Sequence, residues 1–193
     1  MNHSKALLRR RLRSERSGLS GFLRAEHDEA IGQHVMQLVQ SRQAVRIACY
    51  WSFNGEPDIT PVFRQLMANS CELALPVISG TNDHRMTFHS WQAQTRLVKN
   101  RYGIFEPLET AVVPASSLDI ILMPLVGYDR SGNRLGMGAG YYDRCLENLH
   151  DQVRPLRIGI AYSLQEICPF EKNKWDISLH GVVNEHGWFT FVS

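Results

Sequence analysis

Asp119-Ile-Ile-Leu-Met-Pro-Leu-Val-Gly-Tyr-Asp-Arg-Ser-Gly-Asn-Arg-Leu-Gly-Met-Gly-Ala-Gly-Tyr-Tyr-Asp143 is the stretch on which the fold turns. From Asp119 to Val126 both alternating faces are apolar, as a central strand of a parallel sheet demands when each face is covered. Gly136, Gly138 and Gly140 then alternate directly before a segment that reads as a helix from about Tyr141 to Leu149. Strand, glycine loop and helix in that order form the unit of an α/β fold, in which ligands sit at the carboxyl ends of the strands.

Outward from this centre the same alternation continues. Upstream, Lys5 to about Ser17 reads as a helix with Leu7, Leu8 and Leu12 as a partial apolar stripe, ended by Gly18. Ser20 is placed to cap a second helix, in which Leu23, Ala30, Ile31, Leu38 and Val39 recur at three- and four-residue spacing. Val45–Trp51 reads as a buried strand, and Thr60 before Pro61 as a capped helix start running to about Asn69. Leu73–Ile78 and Met86–Trp91 follow as strands. Downstream come a strand at Arg157–Tyr162 and a terminal pair, Val182–Val183 with Trp188–Val192, around Gly187. With no repeat or linker, residues 1–193 read as one α/β domain: a mostly parallel sheet flanked by helices, Rossmann-like and three-layered, with a helical N-terminus.

Composition narrows the function classes. A hydrophobic fraction of 44% and a charged fraction of 21% are ordinary for a globular domain, and no apolar run approaches the roughly 18 residues of a membrane span. The formal charge of +2 conceals an asymmetry: six of the 21 basic side chains lie in residues 1–16, against one of the 19 acidic ones. Read alone, that start fits a solvated helix face, a transit peptide, or a basic helix end that holds an anion. Cys49, Cys71, Cys145 and Cys168 form no C-x-x-C pair and read as thiols of a reducing compartment. The histidines show no zinc-ligand spacing.

The chemistry concentrates in the glycine loop. Alternating glycines let backbone N–H groups approach an anion closely, and the helix that follows adds its positive end. Arg134 offers a guanidinium for a bidentate phosphate contact, and Asp143 a hard oxygen ligand for a magnesium ion bridging phosphates. The loop is neither a Walker A sequence nor G-x-G-x-x-G, so the residues by themselves specify a phosphate-bearing ligand and no more. Outside any wider pattern, Glu56 and Asp58 read as solvated loop acids, Tyr141 and Tyr142 as core aromatics, Asp176 as a turn residue, and Glu106 as a turn cap.

Taken whole, Pro124–Asp143 closely resembles the signature of the 5-formyltetrahydrofolate cyclo-ligases, the methenyltetrahydrofolate synthetases. That signature is a proline-ended strand, a Tyr/Phe-Asp turn, then Gly-x-Arg-Leu-Gly-x-Gly-x-Gly-Tyr/Phe-Tyr-Asp. Lys5-Ala-Leu-Leu-Arg9 resembles the family's N-terminal Lys-x-x-Leu-Arg element, Ser52–Asp58 its folate-contacting segment, Tyr102–Pro107 its Gly-Ile-x-Glu-Pro element, and Trp175-Asp176-Ile177 its C-terminal stretch. Met137 and Ala139 stand where some members carry Arg and Lys, Asp58 where some carry Glu, Ile59 is an extra residue, and Asn184 stands where Thr is common.

The resemblance implies an ATP- and Mg²⁺-dependent enzyme that cyclises 5-formyltetrahydrofolate to 5,10-methenyltetrahydrofolate through a phosphorylated formyl group. It assigns the basic N-terminus to the mature enzyme. ATP is then held by Lys5, Arg9 and Arg134, with Leu135, Gly136, Met137, Gly138, Ala139, Gly140, Tyr141 and Tyr142. The folate falls to Phe53, Glu56, Asp58, Tyr102 and Glu106 with Met137, Gly138, Gly140 and Tyr141. Mg²⁺ falls to Asp143 and Asp176, and the chemistry to Arg134, Tyr142 and Asp143. The expectation is a cytoplasmic monomer acting on small molecules, without nucleic acid or membrane as partner. The alternatives are a paralogue with the same ATP-binding fold acting on a different pterin or a thiamin-related compound, and an RNA-binding module using the basic start, which no RNA-binding signature supports.

Overall fold

The Asp119–Val126 segment forms the middle of the sheet, as its two apolar faces require. The computed structural model describes residues 2–80, 84–149 and 152–191. In chain order the first half comprises α1 (Asn2–Ser17), α2 (Gly21–Ser41), β1 (Arg46–Ala48), α3 (Val62–Ala68), β2 (Glu72–Ile78), β3 (Met86–Trp91), β4 (Leu97–Lys99), β5 (Phe105–Pro107) and β6 (Val112–Val113). The second comprises β7 (Ile120–Pro124), β8 (Gly127–Tyr128), β9 (Arg134–Leu135), α4 (Tyr141–Cys145), β10 (Leu156–Ile160), β11 (Gly181–Asn184) and β12 (Gly187–Thr190).

Among the described residues eight strands form one sheet, in the order β12-β11-β10-β7-β1-β2-β3-β6. From β11 through β2 each neighbouring pair is parallel, and antiparallel strands finish both edges. The period of two along each strand sorts side chains between two cores. Ile47, Leu73, Leu75, Ile120, Leu122, Ile158 and Ile160 point to the side covered by Ile31, Val35 and Leu38 of α2 and by Phe63 and Leu66 of α3. Ala48, Ala74, Ile121, Met123 and Val182 point to the other, where Leu146 and Leu149 cover them. Burying each large aliphatic chain contributes about 1.5–3 kcal/mol.

Helix α1 covers neither face. It lies over the carboxyl end of the sheet, where Leu8 and Leu12 pack with Val126, Leu135, Ile167 and Phe170. Its expected stripe is only half right, because Leu7 is exposed. The inward face is instead Lys5, Arg9, Leu12 and Arg16 at four- and three-residue spacing, while Arg10, Arg11 and Arg13 face solvent. The basic start is therefore divided between a solvated face and a face turned into the protein. Ser20 does cap α2, its Oγ accepting Leu23 N–H at 3.2 Å. The buried stripe of α2 is Ile31, Gly32, Val35, Leu38 and Val39, with Leu23 left outside.

Several boundaries differ from the sequence reading: β7 ends at Pro124 instead of Val126, β10 runs Leu156–Ile160 instead of Arg157–Tyr162, and four further differences have a visible cause. β1 stops at Ala48, since the chain must turn away to close a loop pinned by Tyr50 Oη donating to Pro57 O at 2.7 Å. α3 begins at Val62 without a cap from Thr60, whose amide and hydroxyl both donate to Asp58 Oδ1 at 3.0 and 2.8 Å. The expected Tyr141–Leu149 helix is only α4, followed at Leu146 by a 3-10 turn, Glu147–Leu149, that drives Leu146 and Leu149 into the core. The terminal pair turns at Glu185-His186, where Asn184 Oδ1 accepts His186 N–H at 2.9 Å, so Gly187 opens the second strand instead of making the turn. Val192, its expected end, lies outside the described residues.

Candidate active site

From β1 the chain adds β2 on one side, whereas β7, β10 and β11 extend the sheet on the other. The crevice at such a switch point is where open α/β sheets bind ligands. Here the loops leaving β1 and β7 part to form a cleft of about 940 Å³, walled also by α1, the end of β2 and the 100–106 segment. Lys5, Arg9, Phe53, Glu56, Tyr102, Glu106, Arg134, Leu135, the Gly136–Gly140 loop, Tyr141, Tyr142, Asp143 and Asp176 all line it. Asp58 is the exception among the expected residues. Ser52 and Thr60 surround its Oδ1 at 3.0 and 2.8 Å, and it fixes the loop geometry from behind the wall, so the expected substrate contact from Asp58 has no support here.

One corner is basic. The ribbon β8–β9 presents Arg134, which donates from Nη2 to Asp143 Oδ1 at 2.8 Å and lies 5.5 Å from the Tyr142 ring centroid. Asp143 Oδ1 also accepts Ile177 N–H at 3.1 Å, while its Oδ2 accepts no hydrogen bond among the described residues. Lys5 Nζ stands 3.5 Å from Asp176 Oδ2, which also takes Asn173 N–H at 2.9 Å. Arg9 donates from Nε to Gly136 O at 2.8 Å. Burial pulls Arg9 below its ordinary value, an effect that the nearby Asp176 charge opposes.

Gly136 and Gly140 make room for arginines, and Gly138 lies in ordinary contact range of a third. A Cβ on Gly136 would stand 2.8 Å from Arg134 Nη1, one on Gly138 3.6 Å from Arg9 Cζ, and one on Gly140 3.1 Å from Arg144 Nη1. Arg144 Nη2 also donates to Ala139 O. Among the described residues the amides of Gly136 to Gly140 donate to no backbone carbonyl, which leaves them available to an anion. The helix end expected to assist them is a single five-residue turn and adds little dipole. Charge at this corner comes from side chains, including Arg144, which the sequence reading passed over.

The opposite lobe is aromatic and apolar, with Trp51, Phe53, Ile78, Met86 and Tyr102. Its polar groups are mostly engaged. Glu106 Oε1 accepts Asn100 Nδ2 at 2.6 Å and Ile78 N–H at 2.9 Å, tying the 100–106 segment to the end of β2. Tyr102 and Tyr141 hydroxyls meet at 3.0 Å, and Arg101 Nη2 donates to Tyr141 Oη at 2.7 Å, so the glycine loop and the aromatic lobe touch at the cleft mouth. Burial pushes the Glu56 carboxyl up to about 7, opposed by the Arg16 charge and by Phe53 N–H. Arg16, Arg24, Asn100, Arg101 and Arg144 are site or wall residues outside every motif of the sequence, while Trp175, quoted there only as part of the C-terminal stretch, also lines the cleft. Only Arg16 left a signal, its helical spacing from Lys5, Arg9 and Leu12.

A switch-point cleft with a basic glycine loop facing an aromatic lobe defines an α/β protein suited to holding a phosphate-bearing ligand beside a flat ring. The family model described as the 5-formyltetrahydrofolate cyclo-ligase family matches residues 1–185. The 5-formyltetrahydrofolate cyclo-ligase of Haemophilus influenzae is 33% identical over 178 residues, 91% of this chain and 95% of that one. The Escherichia coli K12 cyclo-ligase is 34% identical over 175 residues, 89% of this chain and 95% of that one. The NMR structure of Aquifex aeolicus 5,10-methenyltetrahydrofolate synthetase superimposes with a TM-score of 0.84 at 30% identity, covering 98% of this chain and 93% of that one. The chain belongs to the 5-formyltetrahydrofolate cyclo-ligase family.

Proposed function

We propose that this protein closes the imidazolinium ring of 5,10-methenyltetrahydrofolate from 5-formyltetrahydrofolate, using ATP and releasing ADP and phosphate. The observation that carries the reading is the shared cleft. Tyr141 belongs to the basic glycine loop and, through its hydroxyl, meets Tyr102 of the aromatic lobe 3.0 Å away. A phosphoryl donor and a ring-bearing acceptor would lie side by side there.

A formamide is a weak electrophile whose oxygen leaves poorly, so the oxygen must first be made a leaving group. The formyl oxygen attacks the γ-phosphorus, ADP departs, and an N5-iminium phosphate results. N10 then attacks the activated carbon, phosphate leaves with the former formyl oxygen, and the N10 proton passes to solvent. Phosphoryl transfer of this kind depends on positioning and charge neutralisation, with no side-chain nucleophile required. Lys5, Arg9, Arg134 and the Gly136–Gly140 amides would hold the phosphates in line. Arg134, Tyr142 and Asp143 would serve the transfer itself, with Asp143 fixing the guanidinium at 2.8 Å. Phe53, Glu56, Tyr102 and Tyr141 would hold the folate.

Magnesium belongs to the same reading. Asp143 and Asp176 both line the cleft, and no cluster of three metal-ligating side chains occurs among the described residues. Two carboxylates and no closed cage fit Mg²⁺, which keeps waters and completes its shell with phosphate oxygens. When bound, the ion would neutralise charge on the β- and γ-phosphates. The cleft is complete within one chain, which supports a monomer. Four free cysteines support a reducing compartment, the cytoplasm.

Mixing the protein with Mg-ATP and 5-formyltetrahydrofolate tests the proposal. A near-ultraviolet absorbance rise from the conjugated amidinium is expected, with one ADP formed per product. ATP binding without any such rise would sink the folate assignment.

A further inference from the structure

We propose that Arg16 and Arg24 are positioning residues that grip the tip of the 53–56 loop and so set where Phe53 and Glu56 meet the substrate. The loop tip is built from two consecutive left-handed residues, Asn54 (φ 53°) and Gly55 (φ 77°). That conformation turns both carbonyls toward the helices. Arg16 Nη2 donates to Asn54 O at 2.8 Å, and Arg24 Nη1 donates to Gly55 O at 3.1 Å. The two arginines are themselves joined, because Arg24 Nη2 donates to Arg16 O at 2.9 Å. Inside the tip, Glu56 N–H donates to Phe53 O at 3.1 Å and Phe53 N–H to Glu56 Oε2 at 3.1 Å, so the loop and the Glu56 carboxyl move as one piece.

Arg16 reaches further than the loop. It is 1% exposed, and its Nη1 donates to Leu125 O at 3.2 Å, at the start of the segment that leads to the glycine loop. A single guanidinium thus ties together the two chain segments that part at the switch point to form the cleft. Burying a cation without an ion-pair partner costs several kcal/mol unless its bonds and surroundings compensate. Among the described residues Arg16 makes no ion pair; its charge is spent on carbonyl oxygens and on Glu56 across the loop. A neutral amide side chain would satisfy one or two carbonyls without that cost. The charge makes sense where it bears on the carboxyl it positions. Gly55 fits the same account: a Cβ there would come within 2.9 Å of Arg24 Nη1, against the grip itself.

The role of the loop toward folate rests on the proposed activity, and the experiment separates the two. Arg24→Met removes a partly exposed grip without opening a core cavity, and Arg16→Lys keeps the buried charge but not its fork. Each is compared with the parent protein by amide exchange of a peptide spanning residues 52–58, thermal unfolding, calorimetric ATP and folate titration, and steady-state kinetics. Exchange at the loop is expected to rise about tenfold, since the tip loses its outer hydrogen bonds. KM for the folate is expected to rise about fivefold or more, with the ATP dissociation constant held within about twofold. Placed on a Glu56→Gln background, Arg24→Met should add less than about twofold to that KM, because both act through one carboxyl. Unchanged loop exchange and folate affinity in both variants would overturn the proposal. So would a parallel fall in melting temperature, ATP affinity and folate affinity, the mark of a packing role. A parent protein that forms no product would sink the activity alone, and loop exchange with folate titration would still decide the clamp.

Discussion

Glu56→Gln is a perturbation whose size follows from the structure. The carboxyl sits in the cleft wall, where desolvation raises it from 4.5 to about 7 against the opposing pull of Arg16 and the Phe53 N–H. A tenfold change in proton affinity corresponds to about 1.36 kcal/mol, and water in the cleft screens part of the effect, so about 1–3 kcal/mol remains. The sign follows from the direction. A folded-state value above the unfolded one favours the protonated folded protein, fully below pH 4.5, and that advantage is lost as pH rises through about 7. Glutamine keeps a carbonyl to accept Phe53 N–H but cannot ionise. Urea unfolding at intervals from pH 5 to pH 8 should therefore find the two proteins within about 0.5 kcal/mol at the acid end. At the alkaline end the glutamine protein should be about 1–3 kcal/mol the more stable, while its folate KM is raised. A stability difference that stays constant across this range, or a glutamine variant less stable at pH 8, would refute the reasoning.

Gly136→Ala puts a methyl group 2.8 Å from Arg134 Nη1 and should raise KM for ATP about tenfold with little change in melting temperature, as kinetics and thermal unfolding would read. Asp143→Asn removes the charge that fixes Arg134 at 2.8 Å and one expected Mg²⁺ oxygen; kcat should fall about 10²-fold or more, and titration with Mg²⁺ should no longer restore it. Leu12→Ala empties a site that is 1% exposed and should cost about 2–4 kcal/mol in urea unfolding. Because α1 carries Lys5 and Arg9, the same variant should also bind ATP more weakly in calorimetry.

What could be read from the sequence was whatever a periodic pattern or a contiguous motif encodes. The two apolar faces of Ile120–Met123 placed β7 at the centre, and the glycine alternation placed the cleft beside it. The ribbons β4–β5 and β8–β9 were invisible because strands of two or three residues carry no period, and their partners are set by the loop that joins them. Asp58 misled for a related reason. A carboxylate two residues before a helix start reads as a free loop acid, yet its oxygen is the best local acceptor for Thr60 and Ser52. Arg16 and Arg24 were missed because their partners are carbonyls, and backbone acceptors have no sequence identity to match.

The same limit explains the apparent shortage of charge around the phosphate loop. Met137 and Ala139 leave the loop itself without a cation between its glycines, and counting along the chain predicts a weakened anion site. In space, Arg134 lies where the β-carbon of Gly136 would press, Arg9 lies in ordinary contact range of Gly138, and Arg144 lies where the β-carbon of Gly140 would press. They come from β9, α1 and α4. Glycine here serves two ends at once: it leaves amides open to an anion, and it leaves volume for a guanidinium beneath them. A charge delivered from a separate element is held by that element's own packing. A charge on the loop would move whenever the loop moved. The positive field of this cleft is thus tied to the seating of α1 through Leu12, so that the stability of one helix contact and the affinity for a phosphate become the same structural variable.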